Sequence, residues 1–411
     1  MSIKILHTSD WHLGKKLFQV DRLEEQEKFL NWLLEEISNK KITHLIISGD
    51  IFDTPNPPDR ALSLYFRFLK DLGPKNIKTF IIAGNHDSGR FIDAPKEFLK
   101  ENEIYIIGKL IPKDFENTVD QFSFQLNENY QLNALPYFRT KDIQDLPWYE
   151  RPEEIDTESS KQSLLQALKV LIDKITNKEK KNILMAHHLF GSFFSSESEQ
   201  SLNLSGVNSI PLELFKDHYE YLALGHIHKP QIVHKENPLA IYSGSPLPFR
   251  FSEIHQKKYS LIEINQDNEM LQSWIEIPIF RQMIRISTDQ EKWKEDILDK
   301  IDVKNINEGA LDILLELEIK LSKSKLGIKR EVLDFLSLYP ITIITLKISL
   351  PENQNLDDDH KKEEVLNQGI DDLFIHYYKE IYPEQEPPEQ IVQTFNKVHL
   401  INKGLLQEDN E

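Results

Sequence analysis

The chain has 411 residues, no cysteine, and 49 basic against 67 acidic side chains, a net charge of −18. The length suits two or three domains, and the missing thiols exclude disulfides, thiolate zinc sites, iron–sulfur clusters and cysteine nucleophiles, so any metal must be held by His, Asp, Glu or Asn. No apolar run reaches the ~20 residues that span a bilayer, and the opening MSIKILHTSDWH lacks the pattern of a signal peptide, which predicts a cytoplasmic protein off the membrane.

In chain order, Ile3 to Leu6 reads as a strand that ends in Thr8-Ser9-Asp10. Apolar residues at Leu30, Leu33, Leu34 and Ile37 predict a helix over 22–39. His44 to Ile47 is a second strand, ending in Gly49-Asp50, and Asp59 is placed to cap a helix stopped by Gly73-Pro74. Thr79 to Ala83 is a third strand, ending in Gly84-Asn85-His86-Asp87. Strand alternating with helix predicts an α/β layered core. Residues 110–182 carry weaker signals: a helix over 164–175, then a strand from Asn182 to Ala186. Tyr221 to Leu224 and Tyr259 to Ile264 are further strands. From about Pro278 the order becomes strand, helix, strand, helix, strand, with strands at 279–286, 311–321 and 341–350, which predicts a small separate domain. PENQNLDDDH at 351–360 is a polar, acidic linker. Two amphipathic helices follow at about 361–381 and 388–400, with apolar faces at Leu373, Phe374, Tyr377, Tyr378, Ile381 and at Ile391, Val392, Phe395, Val398. Residues 351–411 hold 15 acidic and 5 basic groups, a net −10, so the rest of the chain is only mildly acidic and nucleic acid is not excluded as a partner. No G-x-x-x-x-G-K-[ST] loop is present for ATP.

Five segments set ligand-type residues just behind an apolar strand: Asp10-Trp11-His12, Gly49-Asp50-Ile51-Phe52-Asp53, Gly84-Asn85-His86-Asp87, Ala186-His187 and Gly225-His226-Ile227-His228. Strand ends on one edge are where α/β folds gather their sites. Asp10 and His12, two apart on extended chain, point the same way and can share one ion, as can His226 and His228. Asp50 can bridge two ions through its two oxygens. Any one segment is weak, and a strand-end His often only bonds a neighbouring carbonyl, the reading given to His7 and His44. All five in this order predict a dinuclear metal site.

The set Asp-x-His, Gly-Asp-x-x-Asp, Gly-Asn-His-Asp, His, Gly-His-x-His resembles the calcineurin-like metallophosphoesterase superfamily. The runs HTSDWHLGK, GDIFDTPNPP, GNHDSGRF and YSGSPLPFRFSE are similar to its SbcD nuclease subfamily, well over roughly the first 265 residues and beyond that through domain order. The resemblance implies a layered α/β metallophosphoesterase β-sandwich flanked by helices, plus a small α+β cap domain and C-terminal helices. The expected division is 1–275 for the nuclease domain, 276–350 for a DNA-binding cap, and 351–411 for the acidic linker and helices. It further implies that Asp10, His12, Asp50 and His228 bind one metal, that Asp50, Asn85, His187 and His226 bind the other, and that His86 is the catalytic histidine. His187 and His188 are adjacent, and a one-residue slip exchanges them; His187 is favoured because it ends its strand. Asp53 is given a supporting role, orienting a ligand His. The His-containing mixed set favours Mn²⁺ or another transition metal over Mg²⁺ or Ca²⁺, which prefer oxygen shells, and the resemblance also implies Mn²⁺, with Mg²⁺ able to substitute.

The activity implied is hydrolysis of DNA phosphodiesters, 3′-5′ exonucleolytic on duplex ends and endonucleolytic on single strands, serving repair, recombination and hairpin processing. Residues 361–400 are expected to dock on an SbcC-like SMC ATPase, and a homodimer would give a heterotetramer. Candidate DNA contacts are Lys15, Lys16, Arg90 and Arg250 near the motifs, and Lys323, Lys325, Lys329 and Arg330 in the second domain. Two alternatives are a phosphatase or nucleotide phosphodiesterase on the same core, and a catalytically silent DNA-binding scaffold. The first is disfavoured because Thr54-Pro55 follows Asp53 where protein phosphatases carry Arg; the second requires a lost ligand, and none is missing.

Overall fold

The computed structural model describes residues 2–153, 156–195, 199, 209–301, 311–322, 327–349, 374, 378, 382 and 385–402. The strands are β1 Ile3–Thr8, β2 His44–Ser48, β3 Lys78–Ile82, β4 Ile104–Ile107, β5 Ser123–Gln125, β6 Tyr130–Leu135, β7 Lys181–His187, β8 Tyr219–Gly225, β9 Gln231–His234, β10 Leu239–Tyr242, β11 Lys258–Ile264, β12 Met270–Glu276, β13 Met283–Asp289, β14 Ile313–Lys320 and β15 Ile341–Ser349. They form three sheets, in the orders β12-β11-β1-β2-β3-β4, β5-β6-β7-β8-β10-β9 and β13-β14-β15.

In the first sheet β1 to β4 run parallel, and β11 joins β1 antiparallel. Their near-continuous apolar sequences suit strands covered on both faces. Alternate residues serve two cores. Ile5, Ile46, Phe80 and Ile82 point toward the second sheet, meeting Leu132, Met185, Leu222 and Leu224. Leu6, Leu45, Ile47 and Ile81 point the other way, under helices Leu23–Asn39 and Asp59–Leu72. Helix Leu23–Asn39 buries Phe29, Leu30, Leu33 and Ile37 there, each contributing about 1.5–3 kcal/mol. It ends because Lys41 turns left-handed at φ 54° and the Ile42 N–H donates back to the Ile37 carbonyl at 3.0 Å. Asp59 does not cap its helix: Pro58 holds the cap position, and Asp59 is the first helical residue. On the second sheet β6, β7, β8 and β10 are parallel, backed by helix Thr157–Ile175 through Leu164, Leu168 and Leu171.

The third sheet is wholly parallel. Its helices are short: Trp293–Lys300 and Ile328–Leu336 cover one face with Trp293, Ile297, Val332 and Leu336. A small cluster of Leu17, Phe251, Met283 and Leu314 joins this sheet to the segments beside the first motif. The three sheets belong to one compact unit and the described residues from 374 onward to another. In that second unit, helix Glu389–Asn402 sets Phe395 in a stack on Phe374, ring centroids 4.3 Å apart. Leu373, Tyr377 and Ile381 lie outside the described residues, as do Lys323 and Lys325. Among the described residues no helix is long and apolar enough to cross a membrane.

Candidate metal centre

The C-terminal ends of β1, β2, β3, β7 and β8 deliver the five motif segments to one place. Asp10, His12, Asp50, His187, His226 and His228 are each at most 2% exposed. Four of them sit in left-handed backbone, with φ of 54° at Asp10, 46° at His12, 51° at Asp50 and 100° at His226. Non-glycine residues hold this region only where the surroundings impose it, and such strain gathers at functional sites. Close approach does the imposing. A Cβ at Gly84 would overlap the Asp50 carboxylate, and one at Gly225 would overlap the Ser48 carbonyl, so only glycine lets the three loops meet.

Asp10, His12 and His228 form one group whose ligand atoms lie within 4.8 Å of one another; Asp50, His187 and His226 form a second, and His12, Asp50 and His86 a third that links them. The Nε2 atoms of His12 and His228 face each other at 3.2 Å. Asp50 Oδ2 lies 3.5 Å from His12 Nε2 and 3.4 Å from His187 Nε2. Asn85 Oδ1 lies 3.0 Å from His187 Nε2 and 3.1 Å from His226 Nδ1. His187 Nδ1 donates to the Ser48 carbonyl at 2.7 Å, so Nε2 is the nitrogen that faces the cluster, and a cation there would take the place of its proton. The donor set fits divalent cations: imidazole nitrogens and carboxylate and amide oxygens converge with more lone pairs than protons to share.

The electrostatics agree. Burial pushes His12 down to about 4, against the pull of Asp53 and Asp50, so its ring is neutral. Burial also lowers His187, but the Asp50 carboxylate and then Asp10 outweigh it and lift the ring to about 9. Burial raises Asp10. It acts upward on Asp50 too, yet His187, His12 and His86 hold that carboxyl well below the usual range. The pocket therefore draws positive charge toward Asp50.

His86 stands at the rim. Its backbone N–H donates to Asp50 Oδ1 at 2.9 Å, and its Nδ1 lies 2.8 Å from the Asp53 carbonyl, which can only accept. Nδ1 thus carries the proton, and Nε2 is left for chemistry. Asp53 Oδ1 is 3.3 Å from His12 Nδ1 and 2.7 Å from Lys15 Nζ. His188 is turned away: its Nε2 accepts the Phe138 N–H at 3.1 Å, and its ring stacks on Tyr137. His7 bonds the Tyr221 hydroxyl at 2.7 Å and His44 stacks on Phe80, both in the core.

Of the expected DNA contacts, Lys15, Lys16 and Arg250 line a cleft of about 510 Å³ beside the centre, together with Arg285 of β13. Arg90 is exposed on the short helix Gly89–Asp93. Lys329 and Arg330 are exposed on helix Ile328–Leu336 and do not line that cleft.

Several supporting residues escaped the sequence reading. Asp87 accepts from the N–H groups of Gly84, Phe52 and Ile51 at 2.8, 2.9 and 3.1 Å, tying the second loop to the third. Burial, with the Asp50 charge behind it, pushes Asp87 up to about 7 against those donors. Ser9 bridges Asp10 and Ser243. Glu253, fully buried, places Oε1 3.5 Å from His228 Nδ1 and takes the Phe249 N–H at 3.0 Å. The signal was available: Asp87 closes Gly-Asn-His-Asp, and Glu253 closes YSGSPLPFRFSE.

A family model for the calcineurin-like phosphoesterases matches residues 3–230, more than half of the sequence, and the chain belongs to that family. Among curated proteins it is similar to three that are named as the SbcD component of the nuclease SbcCD. The relative from Staphylococcus epidermidis is 29% identical over 74% of this chain and 77% of its own length. That from Bacillus subtilis is 26% identical over 99% of this chain and 100% of its own. That from Escherichia coli is 25% identical over 90% and 92%.

Proposed function

We propose that this chain is the nuclease component of an SbcCD-type complex, hydrolysing phosphodiester bonds at duplex DNA ends and in single strands. The observation that carries the reading is the convergence of seven side chains of metal-ligand type, Asn85 among them, beside His86, on a chain whose relatives bear that name. Asp10, His12, Asp50 and His228 would hold one divalent cation, and Asp50, Asn85, His187 and His226 the other. The mixed set of imidazole nitrogens with carboxylate and amide oxygens suits a transition-metal dication, and the SbcD resemblance points to Mn²⁺. Two bound cations would supply an activated water and offset charge on the phosphate.

The chain's own groups do the rest. Glu253 and the Ser48 carbonyl fix the rings of His228 and His187 from behind. His86, oriented by the Asp53 carbonyl, presents Nε2 to the leaving oxygen; with a proton on each nitrogen, as the imidazolium, it would donate from Nε2 to that oxygen as it takes on charge. Lys15, Lys16 and Arg250 attract the phosphate backbone. The third sheet serves as the cap that presents DNA. Residues 361–400 dock on an SbcC-like SMC ATPase, which supplies the G-x-x-x-x-G-K-[ST] type of ATP site absent from this sequence, and two copies of each chain form a heterotetramer.

The test is Mn²⁺-dependent degradation of linear duplex DNA and nicking of single strands, with His86→Ala beside wild type. Wild type should cut both, and the variant should lose about 10²–10⁴-fold in rate while keeping its metal. A wild-type protein that cleaves only bis(p-nitrophenyl) phosphate, even with the ATPase and ATP, overturns the nuclease reading. Deleting residues 361–411 should abolish capture by the ATPase and spare diesterase activity.

A further inference from the structure

The cleft beside the metal centre holds an exposed aromatic ring that the chemistry above does not use. Leu17 and Val20 pair with each other, Leu17 N to Val20 O at 3.1 Å and Val20 N to Leu17 O at 3.0 Å, closing a two-residue turn over Phe18 and Gln19. Phe18 is forced to φ 53°, a region bulky side chains avoid. The turn is anchored below: Leu17 is 4% exposed among Phe251, Met283 and Leu314. Its tip is not buried, for Phe18 is 72% exposed. A strained backbone that holds a large apolar ring out in water, on a base packed against Phe251 and the third sheet, does nothing for folding.

The ring's neighbours define what it suits. The cleft that Phe18 lines also contains Lys15, Lys16, Arg250 and Arg285, with Glu316 as the acidic member. Glu316 pairs with Arg285 at 2.7 Å, and Asp53 pairs with Lys15 at 2.7 Å, so the cationic side chains along the cleft outnumber these carboxylates. The Arg285 guanidinium lies 6.0 Å from the Phe251 ring centre. The wall continues through Phe249, whose ring meets His12 and His228 edge-on at 5.0 and 5.2 Å. Cations and aromatic faces alternating along a groove that ends at a phosphodiester-cleaving centre is the pattern of single-strand binding. There, phosphates follow the charge and bases stack on rings without regard to sequence.

We infer that Phe18 is a stacking platform that takes a base of a single strand or frayed end and sets the distance from that base to the metal centre. The inference rests on the nucleic-acid reading above. It makes Phe18 a positioning residue rather than a catalytic one.

The test uses the full chain in EDTA, so that no strand is cut, with a fluorescein-labelled oligothymidylate and an abasic oligomer of equal length. Wild type should bind the base-bearing strand on the order of 10-fold more tightly than the abasic one. Phe18→Asn, chosen because asparagine tolerates left-handed backbone, should erase that difference and leave abasic binding within about 2-fold. Phe18→Trp should keep it, and the added indole emission should be quenched by the base-bearing strand alone. Equal wild-type affinity for both strands, or an introduced indole that stays unquenched on saturation, overturns the stacking role while leaving the cationic cleft. Failure of wild type to bind either strand is a different result and overturns the nucleic-acid reading itself.

Discussion

The floor of the metal centre and the cleft next to it share the loop from Asp10 to Val20, and the two parts of that loop are held differently. Asp10 and His12 are at most 1% exposed, the first fixed by the Ser9 hydroxyl and the His226 N–H, the second facing His228 and Asp50. A few residues on, Lys16 and Phe18 stand in solvent. Side chains of the floor are buried and held by partners on every side, whereas the tips of Lys16 and Phe18 in the cleft are held only through the backbone that carries them into solvent. Damage to the floor should therefore reach metal binding and turnover, and damage to the cleft should reach affinity and its salt dependence.

The largest separation is expected between neighbours. His187→Ala should lose a cation and several kcal/mol of transition-state stabilisation, on the order of 10³-fold in rate. His188→Ala should keep its metal content by inductively coupled plasma analysis and show its cost in melting temperature. Loss of metal from the second variant would reverse the placement of the two rings. Next, Glu253→Gln keeps volume but removes the charge behind His228, and metal affinity should fall about 10- to 100-fold by titration. No change there would reduce Glu253 to a packing residue. The smallest effect belongs to the cleft: Lys16→Ala or Arg250→Ala should each lower the slope of log K against log salt by about one, uniformly across DNA sequences. A sequence-dependent response, or a fall in metal content, would erase the distinction between floor and cleft.

The floor was legible in the sequence because strands of a parallel sheet end together, so motifs far apart in sequence converge by topology alone. His187 could be preferred over His188 because successive strand residues face opposite sides, and the structure turns His188 to Phe138. Glu253 and Asp87 stood in the motifs as letters without roles, since their functions come from backbone groups on other segments. The second sheet was only half visible. β5 has three residues, and β9 and β10 four each, too short for a period to register. In the first sheet, β12 is partly exposed along its length and mixes polar with apolar residues, so it too gave no clear period. Phe18 gave no signal, because an apolar letter between Leu17 and Val20 reads as core until the turn is seen.

The left-handed backbone at Asp10, His12, Asp50 and His226 has a thermodynamic corollary. Each such residue costs on the order of 1 kcal/mol or more relative to relaxed chain, and the folded protein carries that load whether or not ions are present. Ion binding selects the folded form over the unfolded one, so occupancy and resistance to heat are linked through mass action. Chelator-stripped protein should melt at a lower temperature, and a protease should open the loops at the strand ends before it attacks the sheets.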